Sequence, residues 1–201
     1  MVVEIKKMPV PDTDPGMILK YMRAGGAKDE PTLNLVNNAL LKMSKAASPL
    51  ACFTRLNVSV NDVYTDIAGN VIKSAYLAKH LKNAKEAFLF AATLGTGSER
   101  IIRLEQSLSP AMSYALDAAG SAMIEDVCDA LNESLSRSAA TENKITLRRY
   151  SPGYGDFPIE TQKLFTVLLN TPKNIGAVLT EGMMLYPTKT VTAIIGIEEK
   201  T

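Results

Sequence analysis

Apolar residues recur every three or four positions in several stretches of this chain, and this period predicts helices. The longest such stripe follows Ser109-Pro110 and continues to about Arg137. Serine can cap a helix and proline suits its first turn, so a long central helix is predicted over 110–137. Shorter helices are predicted in the same way: from Asp14-Pro15, from Asp29-Glu30-Pro31 to Ser48-Pro49, from Ser74 to Leu81, and from Ile159 to Asn170-Thr171-Pro172.

Strands are marked by two other patterns. Leu56, Val58 and Val60 alternate with polar residues, which predicts a strand near 51–60 with one buried face. The run 87–92 is apolar throughout and is typical of a central strand covered on both faces. A turn is predicted at 66–70, and further strands at 2–6, 145–147, 175–179 and 190–197.

The mixed order of helices and strands favours an α+β fold. We expect a mixed, mainly antiparallel twisted sheet with helices packed on it. The length of 201 residues fits a single domain. Within it we expect a helical N-terminal part over 1–48 and a core over 49–201.

Composition excludes several classes of protein. Hydrophobic residues make up 46% and charged residues 21%, as in soluble globular proteins. The net charge of +1 favours neither nucleic acid nor a membrane surface as a partner. No apolar run is long enough for a membrane span, and the N-terminus lacks the order of a signal peptide, so a cytoplasmic protein is expected.

Metal chemistry and thiol chemistry are not expected. Cys52 and Cys128 lie in apolar patterns far apart in the sequence, which indicates buried, reduced thiols. His80 is the one histidine, so the chain has few ligands for a metal site.

The turn from Thr93 to Arg100 contains two glycines after the apolar strand. A dinucleotide-binding loop would need a third glycine where Arg100 stands. We favour a helix start in which Thr96 and Glu99 form a capping box. A nucleotide-binding enzyme that uses Gly95 and Gly97 is the weaker alternative.

Four carboxylates cluster on the later turns of the predicted long helix: Glu125, Asp126, Asp129 and Glu133. The favoured interpretation is a solvated acidic face. The alternative is that one of these acids faces a cationic ligand.

The stretch 149–158, RYSPGYGDFP, combines loop-forming residues with reactive ones. Pro152-Gly153 suits a type II turn, with glycine where φ is positive. Arg149 offers a planar fork for a carboxylate, Tyr154 a ring face for a cation, and Asp156 a negative charge for a positive ligand.

Together these groups suit an amino-acid-like zwitterion that carries an aromatic group and a positive centre. An equally weighted alternative is a structural loop with Arg149 paired to an acid and Tyr154 buried. No nucleophile and base are paired by spacing, so any catalysis would come from holding two partners in line.

Several segments resemble one known family. The residues Arg149, Gly153 and Tyr154 match the R-x-x-x-G-Y motif of the activation domain of cobalamin-dependent methionine synthase. Further segments resemble the same family, in its stand-alone short form: Phe88 to Gly95, Asp117 to Ala122, Leu179-Thr180-Glu181, and Pro187 to Val191.

The resemblance implies a domain that binds S-adenosylmethionine and supports reductive methylation of an inactivated corrinoid. It implies that Arg149 holds the ligand carboxylate and that Ser151, Pro152 and Gly153 give backbone contacts. Tyr154 would lie near the sulfonium and the corrin face, and Glu181 of the L-T-E segment would bind the ligand. The acid on the long helix would be Glu125 or Glu133, and Glu125 joins Tyr154 as the expected catalytic pair.

The match also has departures. Asp156-Phe157-Pro158 replaces the usual continuation after the motif, and Thr190, Thr192 and Ala193 replace Ser, Ser and Gly in the last segment. A corrinoid-binding D-x-H-x-x-G motif is missing around His80, where Ala78 and Asn83 stand. We therefore expect cobalamin on a partner methionine synthase or other corrinoid protein, with a reductant such as flavodoxin. A docking protein without catalysis is the alternative function.

Overall fold

The computed structural model describes residues 2–200 as an antiparallel sheet between helical layers. The strands are β1 Glu4–Lys7, β2 Leu50–Val60, β3 Tyr64–Ile67, β4 Asn70–Lys73, β5 Glu86–Thr93, β6 Lys144–Thr146, β7 Val178–Leu179, β8 Leu185–Tyr186 and β9 Thr190–Glu199. The helices are α1 Pro15–Tyr21, α2 Glu30–Ala46, α3 Ala75–His80, α4 Thr96–Leu108, α5 Pro110–Ala140, α6 Thr161–Leu169 and α7 Thr171–Ile175.

The main sheet has the order β4-β3-β2-β5-β9-β6, and β1 also pairs with β2. Every strand pair described is antiparallel, and β7 and β8 form a separate ribbon. The predicted α+β class and mainly antiparallel sheet are confirmed.

Strand β5 lies at the centre and separates two hydrophobic cores. Its residues are buried from Ala87 to Thr93, as the continuous apolar run predicted. Phe88 and Phe90 face the core built on α1, α2, α4 and α5, whereas Leu89 faces the core of α3, α6 and α7. Because side chains alternate along a strand, one strand supplies both cores.

Helix α5 is the predicted long central helix and continues three residues beyond the predicted end. Ser109 caps it by accepting a hydrogen bond from the Met112 amide at 3.3 Å. Leu116, Met123 and Leu131 are buried against the sheet, as their spacing predicted. The caps at Asp14, Asp29 and Ser74 are also found, each accepting a backbone hydrogen bond of its helix.

Three local predictions were wrong or incomplete. The predicted turn at 66–70 joins two strands, β3 and β4, that the pattern did not indicate. The predicted strand at 175–179 is instead the end of α7, the left-handed Gly176 and the short β7. The helix predicted from Ile159 ends at Leu169, at the expected place, but Pro172 then lies in the first turn of a further helix, α7, where its missing amide is tolerated.

The predicted capping box at the start of α4 was also wrong. Gly95, at φ +81°, is the N-cap, and no side chain caps the helix. Glu99 turns away and accepts hydrogen bonds from the amide and hydroxyl of Thr188, at 3.1 and 2.7 Å. A Cβ at Gly97 would lie 2.1 Å from the carbonyl oxygen of Ala46, so this glycine permits close packing of α4 on α2.

Candidate functional site

A cleft with a volume of about 680 Å³ opens between α5, β9 and residues 149–158, which we call the Arg149 loop. Such a volume lies within the usual range for small-molecule sites. The lining residues are Glu125, Asp129 and Asn132 of α5; Arg148, Arg149, Tyr150, Ser151, Pro152 and Tyr154; Gln162 and Leu185; and Thr190, Val191 and Thr192 of β9.

Arg149 forms ion pairs with two acids of α5. Its Nη2 donates to Glu125 at 2.5 Å, and its Nη1 donates to Asp129. With its amide oxygen turned toward the guanidinium, Asn132 accepts a third hydrogen bond from Nη1 at 2.8 Å. Partial burial by itself would lower the pKa of Arg149, but the hydrogen bonds to Asp129 and Glu125 raise it, so the side chain is a permanent cation.

The acidic cluster of α5 is a solvated face only in part, so the favoured interpretation is partly corrected. Glu125 and Asp129 turn toward Arg149, and Asp126 accepts a hydrogen bond from the Thr13 hydroxyl at 2.6 Å. Asp129 and Glu133 both remain largely solvated, since their side chains are 68% and 69% exposed, and Glu133 pairs with Arg137 one turn away.

Aromatic stacking and strand pairing hold the Arg149 loop on the sheet. Tyr150 bridges to Ile194 of β9 through two backbone hydrogen bonds of 2.9 Å. Its ring lies between His80, at 5.1 Å, and Phe157, at 5.9 Å between ring centres. His80 Nε2 donates to the Arg148 carbonyl at 2.8 Å, so the histidine supports the loop from behind.

The turn within the Arg149 loop has the predicted shape. Gly153 has φ +94°, and the Tyr154 amide donates to the Ser151 carbonyl at 3.3 Å, as in a type II turn. The ring of Tyr154 is carried outward by this turn and is 66% exposed. The structural-loop alternative thus held for the pairing of Arg149 but not for a buried Tyr154.

Asp156 does not balance the charge of the cleft, which corrects its expected role. Its carboxylate accepts hydrogen bonds from the Ser74 hydroxyl at 2.5 Å and from the amides of Ala75 and Tyr76 at 2.7 and 3.2 Å. These bonds hold its pKa below the usual range. Asp156 therefore ties the Arg149 loop to the N-terminus of α3.

Another part of the cleft is formed by the last of the segments that resemble the methionine synthase family, which begins at Pro187. Thr190, Val191 and Thr192 line the cleft, and Thr192 donates to Gln162 at 3.5 Å. Lys189, just before them, is buried, and its ammonium donates to Asp117 at 2.7 Å and to Ser121 at 2.9 Å.

The segment of α5 from Asp117 to Ala122, which is rich in small residues, has a packing role. A Cβ at Gly120 would lie 3.0 Å from the Lys189 side chain, so the glycine gives the lysine room to cross α5. The Asp117 to Ala122 segment therefore positions the start of β9.

The predicted site residues are brought together only in part. Arg149, Ser151, Pro152, Tyr154 and Glu125 line one cleft. Gly153 is exposed at the turn between two lining residues. Glu181 is exposed in the β7–β8 connection and is not among the lining residues. The ligand-binding and catalytic roles of all these residues stay predictions.

Asn132 and Gln162 are lining residues that the sequence did not indicate, and Asp129 was indicated only as a member of the acidic cluster. The spacing of Glu125, Asp129 and Asn132, four and then three residues apart, would have placed them on one face of α5. The partner of that face was not evident from the spacing.

Neither thiol chemistry nor metal binding has a site among residues 2–200. Cys52 and Cys128 are free and buried, as predicted, and burial raises the pKa of each thiol to about 12. The described residues contain no cluster of three or more potential metal ligands. None of the helices found in residues 2–200 has the length and apolarity that crossing a membrane requires.

No model of a protein family matches the sequence, and no curated protein sequence is significantly similar to it. A solved structure does match in fold: the crystal structure of the MetH reactivation domain bound to AdoHcy. The TM-score is 0.72 at 16% sequence identity, over 98% of this chain and 78% of that chain. The chain therefore has the fold of the MetH reactivation domain.

Proposed function

We propose that the chain binds S-adenosylmethionine in the cleft beside Arg149 and supports reductive methylation of a corrinoid held by a partner protein. The observation that carries the proposal is the grouping of Arg149, Glu125 and Tyr154 around one cleft, on a fold shared with a domain bound to AdoHcy. The proposal keeps the cytoplasmic location expected from the sequence.

The charges of the cleft suit an α-amino acid. A zwitterion presents a carboxylate and an ammonium group a few ångströms apart, and Arg149 and Glu125 present the opposite pair 2.5 Å apart. A ligand carboxylate would bind the guanidinium fork, and the ammonium group would bind Glu125.

The exposed ring of Tyr154 suits the remaining positive centre of the ligand. A sulfonium beside the face of a phenol gains electrostatic energy from the ring quadrupole, on the order of 1 kcal/mol at an exposed site. The same exposure of 66% leaves the ring open to a partner that approaches the mouth of the cleft.

In this proposal the chain acts by positioning. The sulfonium supplies a methyl group to the reduced cobalt, and the electron pair of the broken C–S bond stays on sulfur, which becomes a neutral thioether. The residues of the cleft would hold the amino-acid end of the ligand, so that the methyl group points out toward the partner. A reductant such as flavodoxin would supply the electron that precedes the transfer.

The direct test is calorimetric titration of the purified protein with S-adenosylmethionine. We expect binding by the wild type and a loss of at least about tenfold in affinity in Arg149→Ala, because a charge-assisted fork is removed. Arg137→Ala is the matched control, since Arg137 pairs with exposed Glu133 and is not among the lining residues. No binding by the wild type, with or without a corrinoid partner, would overturn the proposal.

The second candidate is a docking protein that caps a corrinoid domain without catalysis. The observation in its favour is that Arg149 already has partners in Glu125 and Asp129, as in a structural ion pair. The two candidates differ in a reactivation assay with a methionine synthase that lacks its own activation domain. Formation of methylcobalamin that persists in Arg149→Ala favours docking alone, and its loss favours the first candidate.

A further inference from the structure

Arg149 is held by one end of its guanidinium group. Nη1 has two acceptors, Asp129 and the Asn132 oxygen, so both of its hydrogens are engaged. Nη2 has one acceptor, Glu125. Nε and the second hydrogen of Nη2 have no acceptor among residues 2–200.

Nε and Nη2 form the edge of the guanidinium that binds a carboxylate side-on, and this pair of nitrogens has one acceptor, Glu125, among residues 2–200. An arginine carries five N–H donors in a rigid planar fork, so fixing Nη1 also fixes the direction of the Nε–Nη2 edge. The side chain of Arg149 is 22% exposed and lines the cleft, so a ligand can reach it.

We propose that Asp129 and Asn132 are positioning residues that hold Nη1 of Arg149 and so present its Nε–Nη2 edge to the carboxylate of an α-amino-acid ligand. This inference rests on the proposed function for the identity of the ligand. The two acids then have different roles: Asp129 keeps Arg149 in place, and Glu125, which pairs with Nη2, is the acid that the ligand's ammonium group meets.

Simple competition makes the opposite prediction. If Asp129 only neutralised Arg149, a ligand carboxylate would have to displace it, and removing its charge would tighten binding. If Asp129 positions Arg149, removing its charge weakens binding, because the ligand must then order a mobile side chain. The sign of the change in affinity therefore decides between the two.

Three variants test the inference by calorimetry. Asp129→Asn removes a charge, and Asn132→Ala removes an acceptor without any change of charge. Glu133→Gln is the control. It also removes one negative charge from α5, one turn after Asp129, but Glu133 pairs with Arg137 and not with Arg149. We expect S-adenosylmethionine to bind about tenfold more weakly to the first two variants and unchanged to the third.

Two further measurements separate positioning from a general loss of structure. 5′-Methylthioadenosine lacks the amino-acid end of the ligand, so its affinity should be equal in all three variants and the wild type. In the ligand-free protein, side-chain ¹⁵N NMR should show slow rotation about the Cζ–Nε bond of Arg149 in the wild type and faster rotation in Asp129→Asn and Asn132→Ala.

Each outcome has a defined meaning. Tighter or unchanged binding of S-adenosylmethionine in Asp129→Asn overturns the inference, as does an equal loss for methylthioadenosine. A wild type that binds no S-adenosylmethionine overturns the proposed function, and the NMR comparison then decides the inference: equal rotation of Arg149 in wild type and variants rejects it.

Discussion

Replacing Gly97 with alanine should destabilise the protein by forcing α4 away from α2. The new Cβ would lie 2.1 Å from the Ala46 carbonyl oxygen, whereas a carbon and an oxygen make contact at about 3.3 Å. The two backbones must separate by roughly 1 Å, and neither can rotate out of the way as a side chain would.

The expected loss follows from two opposing terms. Overpacking of this kind costs about 3 kcal/mol, at the upper end of the usual range, because the clash is with backbone. Alanine in place of glycine returns up to about 1 kcal/mol of helix propensity, the value for a helix interior, because Gly97 is the second residue of α4. The net loss is about 2 kcal/mol, which lowers the melting temperature by roughly 4–8 °C in a chain of this length.

Urea unfolding of Gly97→Ala beside the wild type measures this loss. Gly182→Ala is the matched control, since a Cβ there meets nothing within 4 Å. A free energy of unfolding within about 0.5 kcal/mol of the wild type would refute the packing argument. Wild-type stability together with lost ligand binding would instead support the nucleotide-loop alternative for Gly95 and Gly97.

Two further predictions concern buried and capping acids. Burial by itself raises the pKa of Glu99, but hydrogen bonds from Thr188 and Arg103 outweigh it and lower the pKa below the ordinary 4.5. The stability that Glu99 contributes is therefore present above pH 4.5 and is lost as the pH falls through the pKa of the folded state. Unfolding in urea at several pH values should show a shallower loss below about pH 5 in Glu99→Gln than in the wild type, and parallel profiles would contradict this. Asp156→Asn should lower both the melting temperature and the affinity for S-adenosylmethionine, because the Arg149 loop loses its anchor on α3, whereas Asp62→Asn at an exposed turn should change neither.

Much of the fold was predictable because it depends on local periodicity. The stripe of α5 and the continuous apolar run of β5 are long and regular, and both elements form where they were predicted. Short elements were missed, since the four residues of β3 and the five of α7 provide too few repeats for a period to show. The capping box failed for a different reason: Glu99 has a tertiary partner, Thr188, that is 89 residues away in the sequence.

Only one side of the candidate site, the Arg149 loop, was predictable from the sequence. The composition of the Arg149 loop indicated both its turn at Gly153 and its chemistry, because proline and glycine restrict or free the backbone on their own. The role of Asp156 was not evident, since Ser74, whose hydroxyl it binds, lies 82 positions earlier.

By itself, the sequence determined the long helix α5, the central strand β5 and the shaped loop, because those choices depend on neighbouring residues. Only the tertiary structure decided that Arg149 meets Glu125 and Asp129, which lie 24 and 20 positions earlier. That meeting depends on how α5 packs beside β9, and Lys189 crossing over Gly120 helps to place the two elements. The charge pattern of α5 shows which acids share a face, but packing determines which of them meets a cation.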